Sequence, residues 1–267
     1  MSLHLTLLSS KDQLLEIANS LAADIKPDIS YGIEIYVSIF TIILAYLIGS
    51  FSLSHIISKH KGINLKEQGS KNLGASNTLA LIGKRAGAMV LLSDILKVIL
   101  AITLCICLGT ILGELGVPCA IWIHNDFIRS IQESNLLESI FVLCGASAIL
   151  GHIFPFYLKF RGGKGFASYI SLVLALSILN PIILIIPLLA VLIAIITNYI
   201  VSATFTVILL TPLYMWFIQE NLQATIILTL VSIVIFIKHI ENIKHIKDGS
   251  EMKIREAFKN KYKRKET

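Results

Sequence analysis

The sequence predicts an all-α integral membrane protein with about seven transmembrane helices, the N-terminus outside and the C-terminus cytoplasmic. Three observations predict it. Of 267 residues, 55% are hydrophobic and only 15% are charged, where a soluble domain carries about 25% charge. The apolar residues fall into blocks long enough to cross a bilayer, which takes about 20 helical residues at about 1.5 Å each. Lysine and arginine collect between these blocks. A mean hydropathy of +0.78 leaves too little polar sequence to coat a water-facing surface. An ordinary soluble enzyme, a disordered chain and a disulfide scaffold are thereby excluded.

Residues 1–32 form an N-terminal extension. Lys11, Asp12, Glu16, Asp24, Lys26 and Asp28 surround Leu14, Leu15, Ile17 and Leu21, a pattern of a short amphipathic helix at a membrane surface. It lacks the form of a cleavable signal peptide. Residues 33–253 make the membrane domain, and 254–267 a basic cytoplasmic tail. Spans are expected at 34–56, 87–112 and 136–156, then at 201–218 and 222–240. Between them, the largely apolar block 166–197 holds 32 residues and is interrupted by Asn180-Pro181. Proline removes a backbone donor and disfavours helix at the residue before it. Two short spans are therefore expected there.

Charge sets the orientation. Nineteen of the 23 Lys and Arg residues lie in 57–85, 157–165 and 238–267. The positive-inside rule places those three segments in the cytoplasm. Two crossings within 166–197 keep both later basic segments on that side. The net charge of +6 follows from this bias, and no nucleic-acid partner is implied. Cys105, Cys107, Cys119 and Cys144 show no C-x-x-C and no zinc spacing with histidine. They read as small membrane-embedded hydrophobes. No metal or cofactor is expected.

Three polar segments carry chemistry. In Gly69-Ser70-Lys71-Asn72-Leu73-Gly74-Ala75-Ser76-Asn77, glycine permits close backbone approach, while Ser and Asn supply short donors to an anionic oxygen. A solvated loop has a similar composition, but Lys66, Lys71, Lys84 and Arg85 favour an anion site. The second segment is Gly151-His152-Ile153-Phe154-Pro155-Phe156, followed by Arg161-Gly162-Gly163-Lys164-Gly165. The glycine-lysine run opens a helix, whose free N–H groups and dipole attract anions. It is not a Walker A loop, so an ATPase is not supported. The third is Lys238-His239-Ile240-Glu241-Asn242, then Gly249-Ser250-Glu251-Met252-Lys253. His239 and Asn242, three apart, share a helix face. Within the second span, Asp94 and Lys97 also share a face. Ionisable residues there pair or function, and an ion pair bracing the site is expected.

These segments, in this order, resemble the bacterial acyl-phosphate:glycerol-3-phosphate acyltransferase family. Its patterns are G-S-G-N-x-G-A-T-N, then G-H-x-F-P with F-K-G-G-K-G, then H-R-x-N-I with a later G-x-E-x-K. The resemblance spans Gly49 to Lys253 and is most specific over Gly151–Gly165. It implies a protein of the bacterial cytoplasmic (inner) membrane that moves an acyl group from acyl phosphate to the 1-hydroxyl of glycerol 3-phosphate, giving lysophosphatidic acid. It implies Ser70, Lys164, His239 and Asn242 as catalytic residues. Lys66, Asn72, Gly74, Ser76, Asn77, Gly162, Gly163 and Gly165 become substrate-binding residues. Asp94, Lys97 and Glu251 are structural. An enzyme that produces acyl phosphate is implied as a functional partner. Lys71 stands where the family has its second glycine. Lys66 and Ala80 stand at two family arginines, and Asn198-Tyr199-Ile200-Val201 at its R-x-x-S turn. A catalytically weakened homologue with a regulatory or structural role and a membrane anion transporter are the alternatives. Against transport, most polar signals lie in loops rather than at the midplane.

Overall fold

The computed structural model describes residues 27–114, 134–251 and 253–259. The body of the predicted N-terminal amphipathic helix lies outside these residues. Ten α-helices occur among them: α1 Pro27–Ser50, α2 Leu53–His60, α3 Ala75–Leu81, α4 Lys84–Glu114, α5 Ser134–Ile153, α6 Phe166–Leu176, α7 Ile185–Thr197, α8 Ile200–Phe217, α9 Leu222–Lys247 and α10 Ile254–Lys259. Among the described residues, five helical segments are long and apolar enough to cross a membrane, and Phe166–Leu176 and Pro181–Thr197 are shorter apolar helices.

Helix α5 is the central post, packed against α1, α4, α6 and α9. Small residues let it approach α1 closely. A Cβ at Gly49 would land on the Ala148 backbone, and one at Gly151 on the Tyr46 carbonyl. Val142, Ala148, Ile149 and Ile153 of α5 are buried with Tyr169 and Leu172 of α6 and Leu228 and Ile235 of α9. Helix α7 lies at the margin against α8. It exposes Leu188, Val191, Leu192, Ile195 and Ile196, as a lipid-facing helix does.

One expected span takes a different form. The apolar run 34–56 is not one helix, because α1 ends at Ser50 and α2 starts at Leu53. Ser52 caps α2 by accepting from the His55 N–H, satisfying one of the donors a helix start leaves open. The block 166–197 breaks as its proline indicates. Asn180 accepts from Ile182 N–H and opens a 3₁₀ turn, Pro181–Leu184, ahead of α7. Helix α9 runs beyond its apolar stretch to Lys247, carrying His239 and Asn242 in regular helix.

Candidate active site

The three polar segments converge at one end of the bundle. Asn77 organises the first. Its side-chain carbonyl accepts from Ser70 N–H (3.0 Å), and its amide donates to the carbonyls of Leu65, Gln68 and Asn72. Asn77 is buried and its polar atoms are spent on loop backbone. Asn72 donates to Ser70 Oγ (2.9 Å) and accepts from Gly74 N–H (2.8 Å). Ser70 in the loop and Ser76 in the first turn of α3 are both exposed. Leu65 and Leu73 form a small apolar cluster with Leu158 beneath the loop.

That cluster joins the first segment to the second. Leu73 N–H donates to the Gly162 carbonyl (3.4 Å), and Lys66 Nζ donates to the Leu158 carbonyl (3.2 Å). The glycine-lysine loop folds back on the end of α5. Gly162 N–H donates to the Ile153 carbonyl and Gly163 N–H to the His152 carbonyl, both at 3.1 Å. Gly165 has φ of +92°, a conformation that favours glycine, and turns the chain into α6. The N–H groups of Lys164 and Gly165 donate to no backbone carbonyl among the described residues. They add to the open donors of the first helical turn.

The third segment closes the site. Lys164 Nζ donates to Asn242 Oδ1 (2.5 Å), and Asn242 Nδ2 donates to Glu251 Oε1 (2.7 Å). The other Glu251 oxygen lies 3.7 Å from His245 Nδ1. His239 is buried, its ring edge-on to Phe205. Its Nδ1 lies 2.8 Å from the Ile235 carbonyl. A carbonyl only accepts, so Nδ1 carries the proton and Nε2 is the lone-pair end of the neutral ring. Lys238 sits over the Phe154 ring at 4.6 Å.

Electrostatics favour an anion. Burial lowers the Lys164 pKa; Glu251 and Glu241 pull it back up, and Lys238 pushes it down. Burial also lowers that of Lys66, helped by the nearby charges of Arg161 and Lys159. A bound anion would relieve this crowding of cations.

Among the residues singled out in the sequence, Lys164, Asn242 and Glu251 form one hydrogen-bonded chain, and the loop of Ser70 touches the loop of Lys164 through Leu73 and Gly162. No hydrogen bond joins Ser70 to Lys164 or His239 among the described residues. Asp94 and Lys97 are buried and paired at 2.9 Å. The sequence reading gives no role to His152, yet the structure puts it against both members of this pair. Its signal is a histidine beside glycine at the end of an apolar run. Ala80, which stands at a family arginine position, follows Asn77 within α3.

The family of glycerol-3-phosphate acyltransferases matches residues 39–249. A glycerol-3-phosphate acyltransferase of Clostridioides difficile is 33% identical over 224 residues, covering 83% of this chain and 97% of the relative. One from Bacillus subtilis is 32% identical over 217 residues, covering 80% and 96%. The crystal structure of PlsY (YgiH), an integral membrane glycerol 3-phosphate acyltransferase in its glycerol 3-phosphate form, superposes with a TM-score of 0.63. It is 25% identical and covers 83% of this chain and 98% of that one.

Proposed function

The chain belongs to the glycerol-3-phosphate acyltransferase family, and on that premise we propose that it acylates the 1-hydroxyl of glycerol 3-phosphate from acyl phosphate. The hydroxyl oxygen attacks the acyl carbonyl carbon, and the bond from that carbon to the phosphate oxygen breaks. Phosphate leaves with the bonding pair and takes up the hydroxyl proton. Lysophosphatidic acid and inorganic phosphate result. Acyl phosphate is an activated mixed anhydride, so the protein needs no covalent nucleophile. Its tasks are to hold two anions side by side and to stabilise developing negative charge.

The observation that carries this reading is the chain Lys164–Asn242–Glu251 beside the open N–H groups of Lys164 and Gly165. Asn242 accepts from Lys164 and so aims its ammonium, while Glu251 fixes the Asn242 amide. Ser70 offers a hydroxyl from the adjoining loop and Ser76 one from the start of α3, and Lys66 offers a second cation. In this reading the glycine-lysine loop holds the glycerol phosphate, and Asn72 and Asn77 hold the first loop in shape for the donor. The substrate's own phosphate takes the proton, and the His239 lone pair orients the hydroxyl. His239→Gln then lowers kcat and leaves the shape of the pH profile unchanged. Loss of one limb of that profile assigns the base to His239 instead.

The positive-inside rule supports seven crossings with the site loops facing the cytoplasm, and the family resemblance implies residence in the inner membrane. An enzyme making acyl phosphate on that side is the functional partner. Purified protein given palmitoyl phosphate and labelled glycerol 3-phosphate is expected to form lysophosphatidic acid. Product from acyl-CoA or acyl carrier protein alone overturns the donor assignment. No product from any donor overturns the reading.

A further inference from the structure

Beneath the glycine-lysine loop lies a buried cluster that the mechanism above does not use. Lys97 Nζ lies 2.9 Å from Asp94 Oδ1, 2.7 Å from His152 Nδ1 and 3.0 Å from the Phe51 carbonyl. An ammonium has three donors and accepts nothing. These three acceptors use all of them. The Phe51 carbonyl is available because the chain breaks between α1 and α2 at this point. Asp94 Oδ1 is also 3.3 Å from His152 Nδ1, longer than the lysine contact. Nδ1 therefore accepts from Lys97, and the proton of the neutral ring sits on Nε2.

Nε2 points into the glycine loop. A side chain at Gly163 would overlap it, and one at Gly162 would overlap the His152 carbonyl. The His152 side chain is 6% exposed, yet Nε2 has no hydrogen-bond partner among the described residues. Nε2 keeps some accessible surface, so it is a donor that water or a ligand atom can reach. It faces the loop whose Lys164 and Gly165 N–H groups are also open.

We infer that His152 is a substrate-contacting hydrogen-bond donor of this site, its Nε2–H directed at an anionic substrate oxygen held by the glycine-lysine loop. Asp94 and Lys97 are positioning residues that fix its tautomer. Gly163 is then required because the imidazole occupies the space a side chain would take, whereas Gly162 is required by the His152 carbonyl. This rests on the acyl-transfer reading for the identity of the oxygen, which belongs either to a phosphate or to the acyl carbonyl as charge develops on it.

Two measurements test it. The first compares His152→Phe and His152→Gln with the wild-type protein, all purified in detergent with matched thermal unfolding. His152→Phe removes the donor, and His152→Gln keeps an N–H near the ring position. The expected result is a loss of about 10²–10³-fold in kcat/KM for His152→Phe, the range for one oxyanion donor, partly rescued in His152→Gln. A fall in kcat assigns the carbonyl oxygen; a rise in KM for glycerol 3-phosphate assigns the phosphate. A loss under tenfold, or no rescue, overturns the proposal. The second uses wild-type protein alone, for the case that the variants do not fold. Gly151-His152 is the one Gly-His pair in the sequence. Glycine 13C-carbonyl with histidine 15N labelling therefore assigns the ring by NMR. An Nε2–H tautomer is expected; an Nδ1–H tautomer or an imidazolium overturns the proposal. A wild-type protein without acyl transfer would instead sink the acyl-transfer reading, leaving the NMR test standing.

Discussion

Lys71 has φ of +51°, in the left-handed region where an L side chain costs about 1–2 kcal/mol. It stands where the family pattern has glycine. The resemblance marks the substitution, but only the backbone shows its cost. Lys71→Gly is expected to stabilise the first loop by about 1 kcal/mol, measured as a higher unfolding temperature in detergent. Lys164 supports a second prediction. Its pKa is lowered, chiefly by burial, so it is an ammonium below that value and loses its charge as pH rises through it. Affinity for glycerol 3-phosphate should then fall at a less alkaline pH than an ordinary lysine would dictate. Lys164→Arg keeps its charge and should flatten that limb of a KM-against-pH curve, at some loss of affinity from the altered reach to Asn242. Residue types at this site are legible in sequence: glycine and lysine at a helix start, His and Asn three apart. The Lys164–Asn242 bond is not, because it joins positions 78 apart. Nor is the place of His152, since its partners come from another helix.

Among the elements, the least legible is α10. The sequence reading treats 254–267 as a basic tail, and the charge of that stretch hides the start of a short helix. Asn198 ends α7 in a left-handed conformation, φ +65°. Its backbone carbonyl accepts from Ile254 N–H and its Oδ1 from Arg255 N–H, both at 2.9 Å. A turn 57 positions earlier thus caps α10, and Ile254 packs against the main core. The segment between, clipped to Asn198 and to His245, delivers Glu251 to Asn242. Asn198→Ala removes the side-chain cap and strains the turn. It is expected to weaken the docking of α10 by about 1–2 kcal/mol, seen as faster amide exchange over 254–259, with lower activity through Glu251. The proline break in 166–197 is legible because proline acts locally. The break between α1 and α2 is not. It depends on Ser52 capping α2 and on Lys97 of a distant helix taking the Phe51 carbonyl.

For the whole molecule, composition alone gives the helical membrane class, because lipid imposes one apolar length on every crossing. Sidedness is open to a direct check. With all four native cysteines replaced, a cysteine at Lys71 or Lys159 should react only with impermeant reagent added from the cytoplasm. One placed within 115–133 should react only from outside. Labelling of both loops from the same side overturns the proposed topology. The short α6 has a further consequence. Its 11 residues reach only about 16 Å, against about 30 Å of hydrocarbon. One or both of its ends must therefore be sunk below the headgroups. If the Gly165 end is sunk, the polar reactant dips towards the chains while the fatty one scarcely rises to meet it. The thickness of the surrounding lipid then becomes a lever on turnover.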